Sequence, residues 1–197
     1  MIDHKATQEA AEAGCDTVIC KPTSKWPYFD SPLYQVRQVM AAKSVYDLPY
    51  VLNVGCGDDR SFPKYLRKKT EITMVDTAKL PASKGNVEYV QADGNAYEYA
   101  HKTDKYGLVM LGIDVEAKDR LLDLVDRAEI VVIEGALDWA PYARIAKHCG
   151  MHRYLYARVS FEIVIPGLEA DNYPLTATQA GDLVDVSKRE LCVFMKK

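Results

Sequence analysis

Residues 50–60 read YVLNVGCGDDR, and the fold turns on what this stretch is. The run YVLNV is apolar, short and β-branched, the pattern of a buried strand rather than of a helix. Gly-Cys-Gly follows at once and reads as a tight turn that ends the strand. Gly55 and Gly57 permit positive backbone torsions and let a ligand approach the main chain closely. In open parallel sheets the ligand sits beyond the carboxyl ends of the strands, and the turn after the first strand is the usual cradle.

Downstream, the same alternation continues. After YVLNVG come EITMVD, VEYVQAD, YGLVMLG and EIVVIEG, which completes a set of five candidate strands. Helical patterns separate them: SFPKYLRKK, GNAYEYAHK and EAKDRLLDLVDRA. The last is the clearest amphipathic helix, with Leu121, Leu122, Leu124 and Val125 turned inward. DWAPYARIAKHCG reads as a further helix closed by Gly150. It leads to a long strand pattern, RYLYARVSFEIVI, a polar stretch, and a terminal strand, ELCVFM. Strands that alternate with helices imply a parallel sheet covered on both faces. The expected class is therefore α/β: a mostly parallel, Rossmann-like sheet with helices on both faces, an antiparallel C-terminal strand pair and an N-terminal helical extension.

Upstream, the first fifty residues differ. DHKATQEAAEA carries good helix formers, CDTVIC is a short strand-like run, and KPTSKWPYFDSP is a proline-broken loop. PLYQVRQVMAAKSVY then places Leu33, Val36, Val39 and Met40 on one helical face, with a start near Ser31. We read residues 1–197 as one domain, with 1–47 as an N-terminal extension or lid and 48–197 as the core.

Composition agrees with a folded globular chain. Hydrophobic residues make up 48% and charged residues 27%, with a net charge of −3. That balance supplies no broad basic field for phosphate backbones, so nucleic acid is not the expected partner. Acids interrupt every apolar run before the ~20 residues needed to span a bilayer, and the N-terminus lacks the pattern of a signal peptide. A cytoplasmic protein without membrane contact is expected. The five cysteines show no two-residue spacing of a zinc knuckle or redox dithiol, which fits reduced thiols. His148 and His152 lie four apart with Gly150 between them, so no metal is assigned.

The glycine turn restricts its own ligand. A dinucleotide fingerprint needs a third glycine where Arg60 stands, and no Gly-Lys-Ser/Thr follows to make a phosphate loop. Asp58 and Asp59 would also repel a pyrophosphate from the start of a following helix. They would instead attract a ligand bearing sulfonium and ammonium groups, and S-adenosylmethionine is such a ligand. Asp76 ends the second strand, nineteen positions beyond Gly57, where a carboxylate can accept from both hydroxyls of a ribose. Asp93 ends the third strand and can accept from an adenine amino group.

Here VLNVGCG, ITMVD and VQADGNAY resemble the first three motifs of class I S-adenosylmethionine-dependent methyltransferases, over roughly residues 48–135. The resemblance implies that Gly55, Gly57, Asp76 and Asp93 contact the cofactor, with Cys56 and Asp58 lining the turn. Two positions depart from the family pattern: Asn53 replaces the common acid of the first strand, and Asp59 the third glycine. The run from Gly112 is also somewhat similar to FkbM-type O-methyltransferases, although Ala117 breaks their Asp-Val-Glu-Gly signature.

Methyl transfer from a sulfonium relies on holding the acceptor in line, with a base needed only where the acceptor loses a proton. The loop after the fourth strand, LGIDVEAKD, is the best position, and Asp114 is the candidate catalytic residue; as an alternative it caps the next helix. Glu116 is the second acid of this loop, Glu134 at the end of the fifth strand faces either the acceptor pocket or a structural position, and Trp139 is either a core residue or an aromatic pocket wall. Trp26, Tyr28, Phe29 and Tyr34 form either a lid or apolar anchors for the extension. The two-proline aromatic signature of many DNA base methyltransferases is absent. The expected function is transfer of a methyl group from S-adenosylmethionine to an oxygen or nitrogen of a small molecule. The alternatives are a non-catalytic or regulatory protein of the same fold, an enzyme that cleaves the sulfonium compound, and another Rossmann enzyme with a nucleotide cofactor.

Overall fold

A computed structural model describes residues 4–13, 17–19, 32–56, 62–99, 103, 105–111, 119–134, 140–151, 154–159, 162–164 and 191–197. Its elements run in chain order as α1 (His4–Glu12), β1 (Thr17–Ile19), α2 (Pro32–Ser44), β2 (Tyr50–Val54), a single 3-10 turn (Phe62–Tyr65), β3 (Glu71–Asp76), β4 (Val87–Gln91), β5 (Gly107–Met110), α3 (Asp119–Arg127), β6 (Ile130–Glu134), α4 (Ala140–Met151), β7 (Tyr154–Val159), β8 (Glu162–Val164) and β9 (Leu191–Lys196).

All five residues of β2 are buried, as befits a central parallel strand covered on both faces. It pairs in parallel with β3 on one side and β5 on the other. β4 adds beyond β3 and β6 beyond β5, again in parallel. β9 runs antiparallel to β6, and β7 antiparallel to β9. The seven-stranded order is β4-β3-β2-β5-β6-β9-β7. The chain therefore winds outward from β2 to β4, returns across the sheet, and winds the other way from β5. Its switch point lies between the carboxyl ends of β2 and β5, where such sheets leave a crevice. The five expected strands and the antiparallel C-terminal pair are all present, with β7 at the edge.

Side chains along β2 alternate between two cores. Val51 faces α2, where Val39, Met40, Ala41, Ala42 and Val45 are fully buried with Met74, Val109 and Val132. Leu52 and Val54 face the other layer, with Leu121, Leu124 and Val125 of α3 and Ile145 and Cys149 of α4. Helices thus cover both faces. The chain leaving α2 approaches closely enough to require a glycine: a Cβ on Gly107 would lie 2.6 Å from Val45 Cγ1 and 3.1 Å from Leu48 Cδ1.

The α3–α4 side is tied by polar contacts at its rim. His148 Nε2 lies 2.6 Å from Asp126 Oδ1, and Lys196 Nζ donates to the Asp126 carbonyl at 2.8 Å. Burial, reinforced by the nearby Asp126 charge, pushes the Cys149 thiol up to about 12. Cys56, Cys149 and Cys192 are buried and unbridged, and their inertness follows from that burial.

Five sequence expectations change. SFPKYLRKK forms only the 3-10 turn Phe62–Tyr65 among its described residues. GNAYEYAHK begins as a turn rather than a helix: the Asp93 carbonyl accepts from Ala96 and Tyr97 at 3.0 and 2.9 Å and the chain then runs irregularly. RYLYARVSFEIVI is divided between two sheets, since β7 pairs with β9 while β8 pairs in parallel with β1. Finally, α4 runs through Gly150 to Met151, and Leu122 is only partly buried against its core.

The α2 packing yields a direct test. Gly107→Ala is expected to destabilise the protein by roughly 1–3 kcal/mol through overpacking, and Val45→Ala in the same chain should recover part of the loss. Urea denaturation of the single and double variants measures both.

Candidate functional site

The glycine turn begins where β2 ends. Gly55 has φ 73°, a left-handed conformation that an L side chain adopts only with strain. This torsion swings the chain so that the N–H groups of Gly55 and Cys56 both reach the Val75 carbonyl, at 2.8 and 3.3 Å. The turn is thereby fastened to β3 directly before Asp76. The Cys56 side chain is buried in the α2 core, so its thiol is not presented at the turn. Gly57 and Asp58 lie outside the described residues, as do Asp59, Asp114, Glu116 and Trp139; the FkbM-like signature falls within the same gap after β5. Glu134 ends β6, paired with Leu191.

Asp76 closes β3. One carboxylate oxygen, Oδ1, accepts the N–H of Ala78 at 2.8 Å, and the Asp76 carbonyl accepts from Ala92 at 2.8 Å. The second bond stitches the end of β3 to the chain leaving β4. There Asp93 does the same: its Oδ1 accepts from Asn95 at 2.9 Å. Short acidic side chains that bond two residues ahead make such turns. Both acids therefore shape their own turns as well as standing at the carboxyl edge.

The turn after β4 folds back toward the switch point. Gly94 lies so close to Val54 that a Cβ would overlap its Cγ1. Tyr99 donates to the Gly94 carbonyl at 2.7 Å and meets Tyr97 edge-on at 4.8 Å between centroids. Burial, then the neighbouring Tyr97, Asp93 and Tyr50, raises the Tyr99 phenol well above its ordinary range, so it remains a donor. Arg120, at the start of α3, donates to the Ala96 carbonyl at 2.5 Å. These contacts bring the turn carrying Asp93 beside the end of β2, so Gly55, Cys56, Asp76 and Asp93 share one edge of the sheet. Among the described residues no group of three His, Cys, Asp or Glu is placed to hold a metal.

Under the glycine turn lie two buried amides. Gln38 on α2 is 5% exposed and donates through Nε2 to the Cys56 carbonyl at 3.3 Å. Asn53 on β2 is 1% exposed. Among the described residues, Gln38 Oε1 and both side-chain polar atoms of Asn53 have no hydrogen-bond partner. In the sequence Asn53 stands out only as a departure from a motif, and Gln38 and Arg120 carry no signal, because their partners lie eighteen and twenty-four residues away; Tyr99 reaches back five residues to Gly94.

Comparison with solved structures gives this geometry its context. The N-methyltransferase NodS of Bradyrhizobium japonicum WM9 superposes with a TM-score of 0.50 at 13% identity, covering 85% of this chain and 98% of NodS. The same protein in complex with S-adenosyl-L-homocysteine superposes with a TM-score of 0.53 at 11% identity, covering 98% and 97%. The fold is that of the class I S-adenosylmethionine-dependent methyltransferases. No family model matches the sequence, and no curated protein does. The class I fold accounts for the reversal of strand order at β2 and β5 and for the antiparallel β9 inside the sheet.

Asn53→Leu supplies a test of the buried amide. Replacing an unpartnered polar side chain by an apolar one of similar shape removes a desolvation cost of roughly 1–3 kcal/mol. The variant is expected to melt at a higher temperature than the parent chain in differential scanning calorimetry.

Proposed function

We propose that the protein is an S-adenosylmethionine-dependent methyltransferase acting on an oxygen or nitrogen of a small molecule. The observation that carries this reading is the shared carboxyl edge: a glycine turn with positive φ at Gly55, fastened to β3, with Asp76 and Asp93 closing the next two strands. NodS, whose structure in complex with S-adenosyl-L-homocysteine matches nearly the whole chain at low identity, is an N-methyltransferase, which supports the same cofactor and chemistry here.

In this reading the main chain of Gly55 and Cys56 lies along the cofactor, together with Gly57 and Asp58. Asp76 accepts from the ribose hydroxyls, its orientation held by the Ala78 N–H. Asp93 stands near the adenine, its turn held by Gly94 against Val54 and by Tyr99. The cofactor supplies an electrophilic methyl on a sulfonium. The protein supplies position: an acceptor over the switch point, in line with that methyl, with water kept out. Asp114, which follows β5 in the sequence, would take the acceptor's proton where one must leave. The modest net charge of −3 suits a small acceptor better than a nucleic acid. No helix among the described residues is long and apolar enough to cross a membrane.

Parallel calorimetric titrations with S-adenosylmethionine, S-adenosylhomocysteine and NAD test the proposal. The first two are expected to bind and NAD is not. Asp76→Ala should then weaken S-adenosylhomocysteine by about 1.5–3 kcal/mol, the worth of hydrogen bonds to a charged group. Unchanged affinity would move the ribose elsewhere.

A further inference from the structure

Cys56 is the residue at which the glycine turn leaves the sheet, and both of its backbone polar groups are held. Its N–H bonds to the Val75 carbonyl of β3 at 3.3 Å, and its carbonyl receives Gln38 Nε2 of α2 at 3.3 Å. A strand grips one side of the residue and a helix the other.

The setting of Gln38 is costly for a purely structural bond. Its side chain is almost fully buried, yet Oε1 has no partner. On the same face of β2, Asn53 leaves Leu52 and Val54 to the opposite core and faces the α2 layer with Val51, and its amide also has no partner. Buried polar atoms left unmatched cost stability that a leucine at either place would avoid. Breaks of this kind with local rules concentrate at functional sites.

We propose that Gln38 is a positioning residue: through the Cys56 carbonyl it preorganises the glycine turn for its ligand, and so couples the N-terminal helix α2 to ligand affinity. The inference rests on the reading of the turn as a cofactor cradle. Preorganisation of a loop raises affinity by lowering the ordering cost of binding. It also explains why α2 is docked at full burial from Val39 to Ala42 directly after Gln38: the helix is anchored in the core on one side of Gln38 while Gln38 itself reaches the turn.

The test uses Gln38→Leu and Gln38→Met, two apolar variants of similar size, in the full chain. S-adenosylhomocysteine affinity is measured by calorimetry, stability by thermal melting, and backbone mobility by amide hydrogen exchange without ligand. Affinity should fall roughly five- to tenfold, the effect of one side-chain hydrogen bond, while the melting temperature holds or rises. The Gly55 and Cys56 amides should exchange faster, with those of Val51 and Leu52 unchanged. A lowered melting temperature with unchanged affinity and unchanged exchange at the turn would reduce Gln38 to helix packing and overturn the proposal. If the parent chain does not bind S-adenosylhomocysteine, the cofactor reading fails by itself, and exchange at Gly55 and Cys56 still decides whether Gln38 holds the turn.

Discussion

The Val75 carbonyl is the point on which the site depends. It accepts the N–H groups of both Gly55 and Cys56, and only a residue at positive φ brings two successive amides to one acceptor here. A single oxygen thus ends β2, starts the turn and ties it to the strand that delivers Asp76. A side chain at Gly55 would release this arrangement without touching either core. The bond from Ala92 to the Asp76 carbonyl repeats the device one strand further out and brings Asp93 into line.

Behind this edge the two cores do different work. The α3–α4 side is conventionally packed, with an edge-on tyrosine pair, a buried thiol and the His148–Asp126 contact at its rim. The α2 side is tighter and less comfortable. It demands Gly107 for close approach and buries Asn53 and Gln38 beside the turn with polar atoms unmatched. Stability is given up where the turn must be held, and recovered in the apolar layer around Val39–Ala42.

The parts of the fold legible in the sequence were those governed by local pattern. Runs such as YGLVML and IVVIE can only be strands buried on both faces, and DRLLDLVDR shows its inward stripe without help. What could not be read depended on partners far along the chain. GNAYEYAHK looks helical by composition, but Tyr97 and Tyr99 sit two apart, the spacing of an extended chain, and pack together against the core while Gly94 nests on Val54. RYLYARVSFEIVI alternates without a break, and only pairing with β9 on one side and β1 on the other divides it. The positions of Gly55, Asp76 and Asp93 at or just beyond the strand ends could be read from the sequence. Gln38 carries no mark in its own helix, since its partner lies eighteen residues away across a turn.

In the proposed function the turns after β2, β3 and β4 together hold an adenosine-bearing ligand. The most direct measurement is a titration of nitrogen-15 labelled protein with S-adenosylhomocysteine, followed by amide chemical shifts. The account predicts saturable shifts gathered on Gly55, Cys56, Ala78 and Asn95, with Asp126 and Cys149 on the far layer unmoved. Shifts centred on the α3–α4 layer, or none at saturating ligand, would contradict it.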